Sequence, residues 1–212
     1  MADLDSLRQA IIDGDAKTAG AAAKEAIAAG EDALALIQKY MVPAMDEVGR
    51  RYECEEFFVP ELLLSARAMK AALDPLRPLL AASGAKPAGK VVIGTVKGDL
   101  HDIGKNLVAS LLEGGGFEVI DLGADVAPQK FIDAVQSTGA NIVALSALLT
   151  VTMPSIKMTI EALKTAGVRD KVKVMVGGAP VTQQFADQVG ADAYSENATA
   201  AVSAARRLVA AG

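Results

Sequence analysis

A chain of 212 residues with a hydrophobic fraction of 51% carries enough apolar material for a packed core, arranged as one large or two small compact units. Aromatic residues make up only 4% and much of the apolar content is alanine, which excludes disorder and suits closely packed helices. The formal net charge is -5, with Lys and Arg scattered rather than clustered, which argues against a phosphate-backbone binder, so no nucleic-acid partner is expected.

Cys54 is the single cysteine, so no intrachain disulfide can form, and the opening MADLDSLRQA lacks the basic and apolar regions of a signal peptide. A cytoplasmic setting is expected. Apolar runs such as Ile142 to Leu149 fall far short of the roughly 20 residues that span a bilayer, so no membrane segment is expected.

From Leu4 to Leu80 the apolar residues recur at helical spacing, as in Leu4, Leu7, Ile11 and Ile12, and again in Leu34, Leu36, Ile37, Tyr40 and Met41. Breaks are expected at Asp13-Gly14, Gly30 and Pro43, which divides this half into four or five helices. Pro60 sits in the first turn of the last one, where its missing N–H costs nothing. That helix is expected from Glu61 to Leu80, kinked or ended by Pro75 and Pro78. The small and breaking residues of AASGAKPAG, 81–89, read as a boundary. The expected organisation is a helical unit over 1–83, a linker over 84–89 and a second unit over 90–212.

Beyond the boundary the pattern changes to short β-rich runs, Val91 to Val96, Glu118 to Leu122, Ile142 to Ser146, Val172 to Val176 and Ala191 to Tyr194, separated by helical stretches. This is an α/β unit. The nearly all-apolar inner runs suit a parallel sheet covered by helices on both faces. Sites in such sheets lie beyond the carboxyl ends of the strands.

After the first strand comes Lys97-Gly98-Asp99-Leu100-His101-Asp102-Ile103-Gly104-Lys105-Asn106, which holds the only histidine of the chain. A lone histidine is most often structural, and Asp99 alone reads as a loop carboxylate or helix cap. Together they also suit a metal-ligand imidazole whose second N–H is taken by a carboxylate. Gly98 and Gly104 would let a flat ligand approach the backbone. One imidazole cannot hold a bare zinc-type ion, so a metal would have to arrive inside a macrocycle.

The run Asp99-x-His101-x-x-Gly104, followed by Ser146-x-Leu148 and Gly177-Gly178, resembles the signature of cobalamin-binding domains that hold the corrinoid base-off and histidine-on. Upstream, Gly49-Arg50-Arg51-Tyr52, Phe57-Phe58-Val59-Pro60-Glu61 and Ser65-Ala66 are similar to the helical cap that precedes the cobalamin domain in methionine synthase and in the corrinoid proteins of methanol, methylamine and aryl-ether methyltransferases. The resemblance covers almost the whole chain and is looser at its N-terminal end. No methyltransferase catalytic domain is recognisable in it, so the likeness is to a stand-alone corrinoid protein.

The resemblance implies a flavodoxin-like, Rossmann-like sheet of five parallel strands behind a helical-bundle cap. It implies a bound cobalamin, methylcobalamin or a related corrinoid, with His101 as lower axial ligand of cobalt and Asp99 on its far nitrogen. Gly98, Asp102, Ile103 and Gly104 would flank that ligand. The displaced nucleotide tail would occupy a slot where Ser146 and Thr150 hydrogen-bond, Leu148 packs, and Gly177, Gly178 and Ala179 line the wall. Tyr194, Ser195 and Ala198 would meet its phosphoribosyl part. In the cap, Phe58, Val59, Leu62 and Met69 would shield the upper face, although helix spacing alone makes them core. Cys54 reads as a free structural thiol.

The implied role is a non-catalytic methyl carrier. Its partners would be a substrate:corrinoid methyltransferase, a second methyltransferase acting on tetrahydrofolate or a thiol, and a reductive activase. The rival readings are a radical mutase small subunit, which generally lacks such a cap, a cobalamin-dependent sensor, which usually carries an added signalling module, and a flavodoxin-like module with no corrinoid.

Overall fold

The computed structural model describes residues 4–83 and 87–210; residues 84–86 of the expected linker lie outside the described residues. The chain forms two compact units, one of Met1–Pro87 with Glu113–Gly116 and one of Ala88–Leu112 with Phe117–Gly212.

The first unit is helical. Helix α1 (Leu4–Ile12) turns through Gly14, at φ +74°, into α2 (Ala16–Ala28), whose first turn is capped by Asp15 accepting the Lys17 and Thr18 amides. A Cβ on Gly14 would stand 2.5 Å from Leu64 Cβ, so glycine is required there for space as well as for its backbone angle. Helix α3 (Ala33–Leu36), capped by Asp32, does not stop at Pro43 as the sequence suggests. It continues through a π turn over Ile37–Met41 into α4 (Val42–Glu53), with the Val42 N–H reaching the Ile37 carbonyl. One widened turn relieves the contact that the Pro43 ring would make with the preceding turn of a regular helix.

Helix α5 (Val59–Leu73) starts where Glu61 accepts the Phe58 N–H at 2.9 Å, with Pro60 in its first turn, and α6 (Arg77–Ser83) follows. The expected single helix to Leu80 is therefore two, divided near Pro75. Alanines explain the close packing of α2 on α5. Ala19, Ala23 and Ala26 on α2 and Ala68 and Ala72 on α5 are buried, and a Cβ on Gly20 would stand 3.3 Å from the Ala71 carbonyl oxygen.

The second unit alternates β1 (Lys90–Thr95), α7 (Ile103–Gly114), β2 (Glu118–Asp121), α8 (Pro128–Thr138), β3 (Ile142–Ser146), α9 (Met153–Thr165), β4 (Lys173–Gly177), α10 (Gln183–Val189), β5 (Ala193–Ser195) and α11 (Ala198–Ala210). The strands are all parallel in the order β2-β1-β3-β4-β5. This is the flavodoxin-like winding, which reverses direction between β1 and β3 and leaves a crevice there. Alternation along the strands supplies two cores. Val92, Val143, Val174 and Val176 join Phe131, Ile156 and Ile160 on one face, while Val91, Ile93, Ile142 and Met175 join Leu112, Phe117 and Ala205 on the other. Among the described residues no helix is long and apolar enough to cross a membrane.

Candidate functional site

Three loops meet at the carboxyl end of β1. The β1–α7 loop leaves the sheet at Val96 and turns at Gly98, φ +86°, a conformation that suits glycine. Thr95, fully buried, donates its hydroxyl to the His101 carbonyl at 2.9 Å. From the β2–α8 loop, Asp125 accepts the Gly98 N–H at 2.8 Å and the Lys97 ammonium at 2.9 Å, and these partners hold its carboxyl below the usual carboxylate range.

The Asp99 side chain has no exposed surface. Its Oδ1 accepts the Nδ1 of His101 at 2.8 Å and the His101 backbone N–H at 3.1 Å. Its Oδ2 accepts the Thr152 hydroxyl at 2.7 Å and the backbone N–H groups of Leu148 at 2.8 Å and Leu149 at 3.4 Å, all from the β3–α9 loop. Burial by itself would raise the Asp99 pKa. The Thr152 hydroxyl, the Leu148 and His101 amides and the His101 ring outweigh it and hold the carboxyl well below its ordinary value. An ionised carboxylate can only accept, so Nδ1 carries a proton, and in the neutral ring the lone pair is therefore on Nε2. The His101 side chain is 51% exposed, and Nε2 has no hydrogen-bond partner among the described residues.

Strand register aligns a second group. Thr95, Ser146, Gly177 and Ser195 lie side by side across β1, β3, β4 and β5 in the last paired row. Ser195 is buried, and its Oγ has no hydrogen-bond partner among the described residues. Such an orphaned hydroxyl costs free energy unless something outside the chain satisfies it.

The glycines separate by cause. Gly178, at φ +125°, brings the β4–α10 turn so close to β3 that a Cβ would stand 1.9 Å from the Ala147 carbonyl oxygen, and a Cβ on Gly177 would stand 3.0 Å from that of Ser195. The chain's own packing accounts for both. Gly104 differs, because a Cβ there would meet nothing within 4 Å. Among the described residues nothing requires glycine in the first turn of α7, where any residue but proline would be a better helix former.

The expected site residues thus fall into groups. Asp99, His101 and Leu148 are joined by hydrogen bonds, and Ser146 and Gly177 by register, while Gly178 meets the residue after Ser146. Asp102 and Ile103 open α7 and are exposed, Ile103 to 80%. Thr150 and Ala179 are exposed in the loops after β3 and β4. Tyr194 packs, half-buried, against the core on the Val174 and Val176 face of the sheet, and Ala198 is buried at the start of α11. In the first unit Phe58 and Val59 are exposed, but Leu62 and Met69, expected to shield a bound group, are fully buried as an apolar helix stripe is when it packs.

Sequence reasoning missed Thr152, Thr95, Asp125 and the exposed apolar side chains Leu100, Leu149 and Val151. It also missed Lys105, a buried cation paired with Asp121 at the end of β2. For Thr152 the available signal was a hydroxyl shortly before Pro154, which reads as a helix start rather than as a partner of Asp99.

This arrangement fits a flat macrocycle carrying its own metal. It offers one free imidazole nitrogen, and among the described residues no group of three or more His, Cys, Asp or Glu could hold a bare ion. Leu100 and Ile103, 77% and 80% exposed, flank His101 in sequence as apolar surface, and Gly104 and the Ser195 hydroxyl supply room and an unused hydrogen bond.

Comparison with known proteins agrees. Residues 89–203 match a B12 binding domain family, and residues 3–77 match a second B12 binding domain family. Trimethylamine corrinoid protein 1 of Methanosarcina acetivorans is 45% identical over 204 residues, covering 95% of this chain and 94% of that protein. A cobalamin-binding protein of Desulfitobacterium hafniense has a crystal structure that superposes with a TM-score of 0.80 at 36% identity, over 98% of this chain and 99% of that one. A chain of the methanol:cobalamin methyltransferase complex of Methanosarcina barkeri superposes with a TM-score of 0.86 at 33% identity, over 99% of this chain and 80% of that one. The sequence therefore belongs to the B12-binding corrinoid proteins of methyltransferase systems.

Proposed function

We propose that this chain binds a cobalamin-type corrinoid with its nucleotide base displaced, offers His101 to the cobalt in that base's place, and carries a methyl group between two methyltransferases in the cytoplasm. The observation that carries the reading is the Asp99–His101 pair, in which a buried, ionised carboxylate fixes the ring tautomer and leaves Nε2 free on the exposed side. When bound, the corrinoid supplies the methyl-transfer chemistry at its cobalt.

The chain's own residues orient, exchange and cover. Asp99 holds the imidazole so that Nε2 faces the ligand. His101 would be the residue that holds the metal, and the adjacent Asp99 carboxylate would stabilise its ring if Nε2 took up a proton on release. Ser146 and Thr150 supply hydroxyls to the displaced tail, Leu148 supplies apolar contact, Gly177, Gly178 and Ala179 line the slot, and Ser195 Oγ gains the partner it lacks. Tyr194 and Ala198 back this wall from the core side. Gly98, Asp102, Ile103 and Gly104 frame the ligand loop, and the exposed Phe58 and Val59 of the helical unit are apolar surface that would suit shielding a bound group from water.

The partners are a substrate:corrinoid methyltransferase, a second methyltransferase with a tetrahydrofolate or thiol acceptor, and a reductive activase. Relatives named for trimethylamine and dimethylamine support a methylated amine as donor. Reconstitution with cobalamin and chemical reduction to Co(I), followed by incubation with trimethylamine and its methyltransferase, tests the reading. The spectrum of the methylated cofactor is expected with the wild-type protein and lost in His101→Ala. A wild-type protein that emerges colourless from reconstitution contradicts it.

A further inference from the structure

Asp125 is one of two non-glycine residues with positive φ among the described residues, at φ +54°. A side chain in the left-handed region costs on the order of 1 kcal/mol, less for Asp than for most residues, and such strain persists only where the surroundings impose it. Here the surroundings are the residues that lead into His101. Asp125 Oδ1 accepts the Gly98 N–H at 2.8 Å, and the Asp125 backbone N–H donates to the Asp99 carbonyl at 2.9 Å. One residue of the β2–α8 loop therefore grips the chain on both sides of the peptide joining Gly98 to Asp99. The next residue, Val126, is tied to β1 by its N–H to the Thr95 carbonyl at 3.0 Å, so the grip has a fixed base.

We propose that Asp125 is a positioning residue for the axial histidine, clamping the main chain of Gly98 and Asp99 so that the Asp99–His101 pair meets cobalt in one orientation. The proposal rests on the reading of His101 as ligand. The division of labour follows from the hydrogen bonds. The Asp99 side chain is held from the β3–α9 loop by Thr152 and Leu148, and the His101 carbonyl is held by Thr95. Neither contact reaches the turn at Gly98, whose φ of +86° lies in a region from which glycine moves easily; within the turn the Asp99 N–H is held by the Val96 carbonyl at 3.1 Å. Asp125 supplies the restraint from outside the turn, on the Gly98 N–H and the Asp99 carbonyl. The Lys97 ammonium on the same carboxylate is more than half exposed, so it is screened and secondary.

The test compares full-length wild type with Asp125→Gly, Asp125→Asn, Lys97→Ala and His101→Ala, each reconstituted with cobalamin. The axial nitrogen is read from the visible spectrum and from paramagnetic resonance of the Co(II) form. Asp125→Gly removes the carboxylate and relieves the backbone strain, so it should fold and bind cobalamin while the ratio of histidine-ligated to unligated cobalt falls about tenfold, as when a group that orients a metal ligand is lost. Asp125→Asn keeps an oxygen for the Gly98 N–H and should restore the ratio, and Lys97→Ala should leave it unchanged. In the cofactor-free protein, Asp125→Gly should speed exchange of the Gly98 and His101 amides about tenfold. A wild-type ratio, or wild-type exchange of these amides, in Asp125→Gly overturns the proposal. If His101→Ala also keeps the wild-type signal, the ligand assignment has failed, and the clamp falls with it.

Discussion

The Nδ1 of His101 lies 2.8 Å from Oδ1 of Asp99, and the same buried carboxylate reaches across to a hydroxyl 53 residues further on, that of Thr152, at 2.7 Å. This joins the ligand loop to the loop after β3. A displacement of the His101 ring is therefore transmitted to the loop after β3 as well.

Replacing Asp99 by Asn keeps the size but sets an NH2 group against donors that now need an acceptor, either His101 Nδ1 or the Thr152 and Leu148 groups. Burying such unsatisfied donors costs about 2 kcal/mol. Urea unfolding of the cofactor-free variant should show that loss with an unchanged dependence on denaturant. Stability equal to wild type would mean that the carboxylate is not the centre of the network.

The two kinds of glycine should respond oppositely. Gly178→Ala forces a Cβ against the Ala147 carbonyl at an unfavourable φ and should lower stability by about 3 kcal/mol. Gly104→Ala meets no atom and should leave the cofactor-free protein unchanged or stabilise it by about 0.5–1 kcal/mol. It should nonetheless weaken cobalamin binding, measured by titration calorimetry. Unchanged affinity in Gly104→Ala would remove the reason given for the open space at that position.

Ser195→Ala deletes a buried hydroxyl that has no partner within the described residues. The thermal midpoint of the cofactor-free protein should stay the same or rise. Cobalamin affinity should fall about tenfold, the value of one lost hydrogen bond of about 1.4 kcal/mol. A drop in the midpoint together with unchanged affinity would make Ser195 a structural residue.

The pH response of the helical unit should follow Glu47, which bonds Arg50 and Arg51 at 2.8 Å each. The Arg50 and Arg51 guanidinium groups lower its pKa from 4.5 to about 2. Because the folded value is the lower one, this contribution is complete above pH 4.5 and is lost as the pH falls from there toward 2. Carbon-13 titration of the Glu47 carboxyl should find a midpoint near the lower end of that window, and added salt should move it back toward the ordinary value. A midpoint near 4.5 would show that the pair does not persist in solution.

Much of this was legible in the sequence for identifiable reasons. Strands such as Ile142–Ser146 declare themselves because a parallel sheet buried on both faces needs continuous apolar residues. Asp99 and His101 declare themselves because two residues suffice to bring their side chains together. Thr152 and Asp125 were hidden because their meaning depends on loops from separate strands meeting over β1, and no local pattern encodes that. Pro43 misled because proline reads as a break, whereas one π turn carries the helix past it. The burial of Leu62 and the half-burial of Tyr194 were not legible, because an apolar residue near a site looks the same in sequence whether it faces outward or into the core.

The most direct measurement is paramagnetic resonance of the reconstituted Co(II) protein prepared with nitrogen-15 histidine. With one histidine in the chain, the account predicts superhyperfine splitting from a single axial nitrogen that changes from the nitrogen-14 to the nitrogen-15 pattern on labelling. A splitting that does not change on labelling, or the absence of any axial nitrogen, would contradict it.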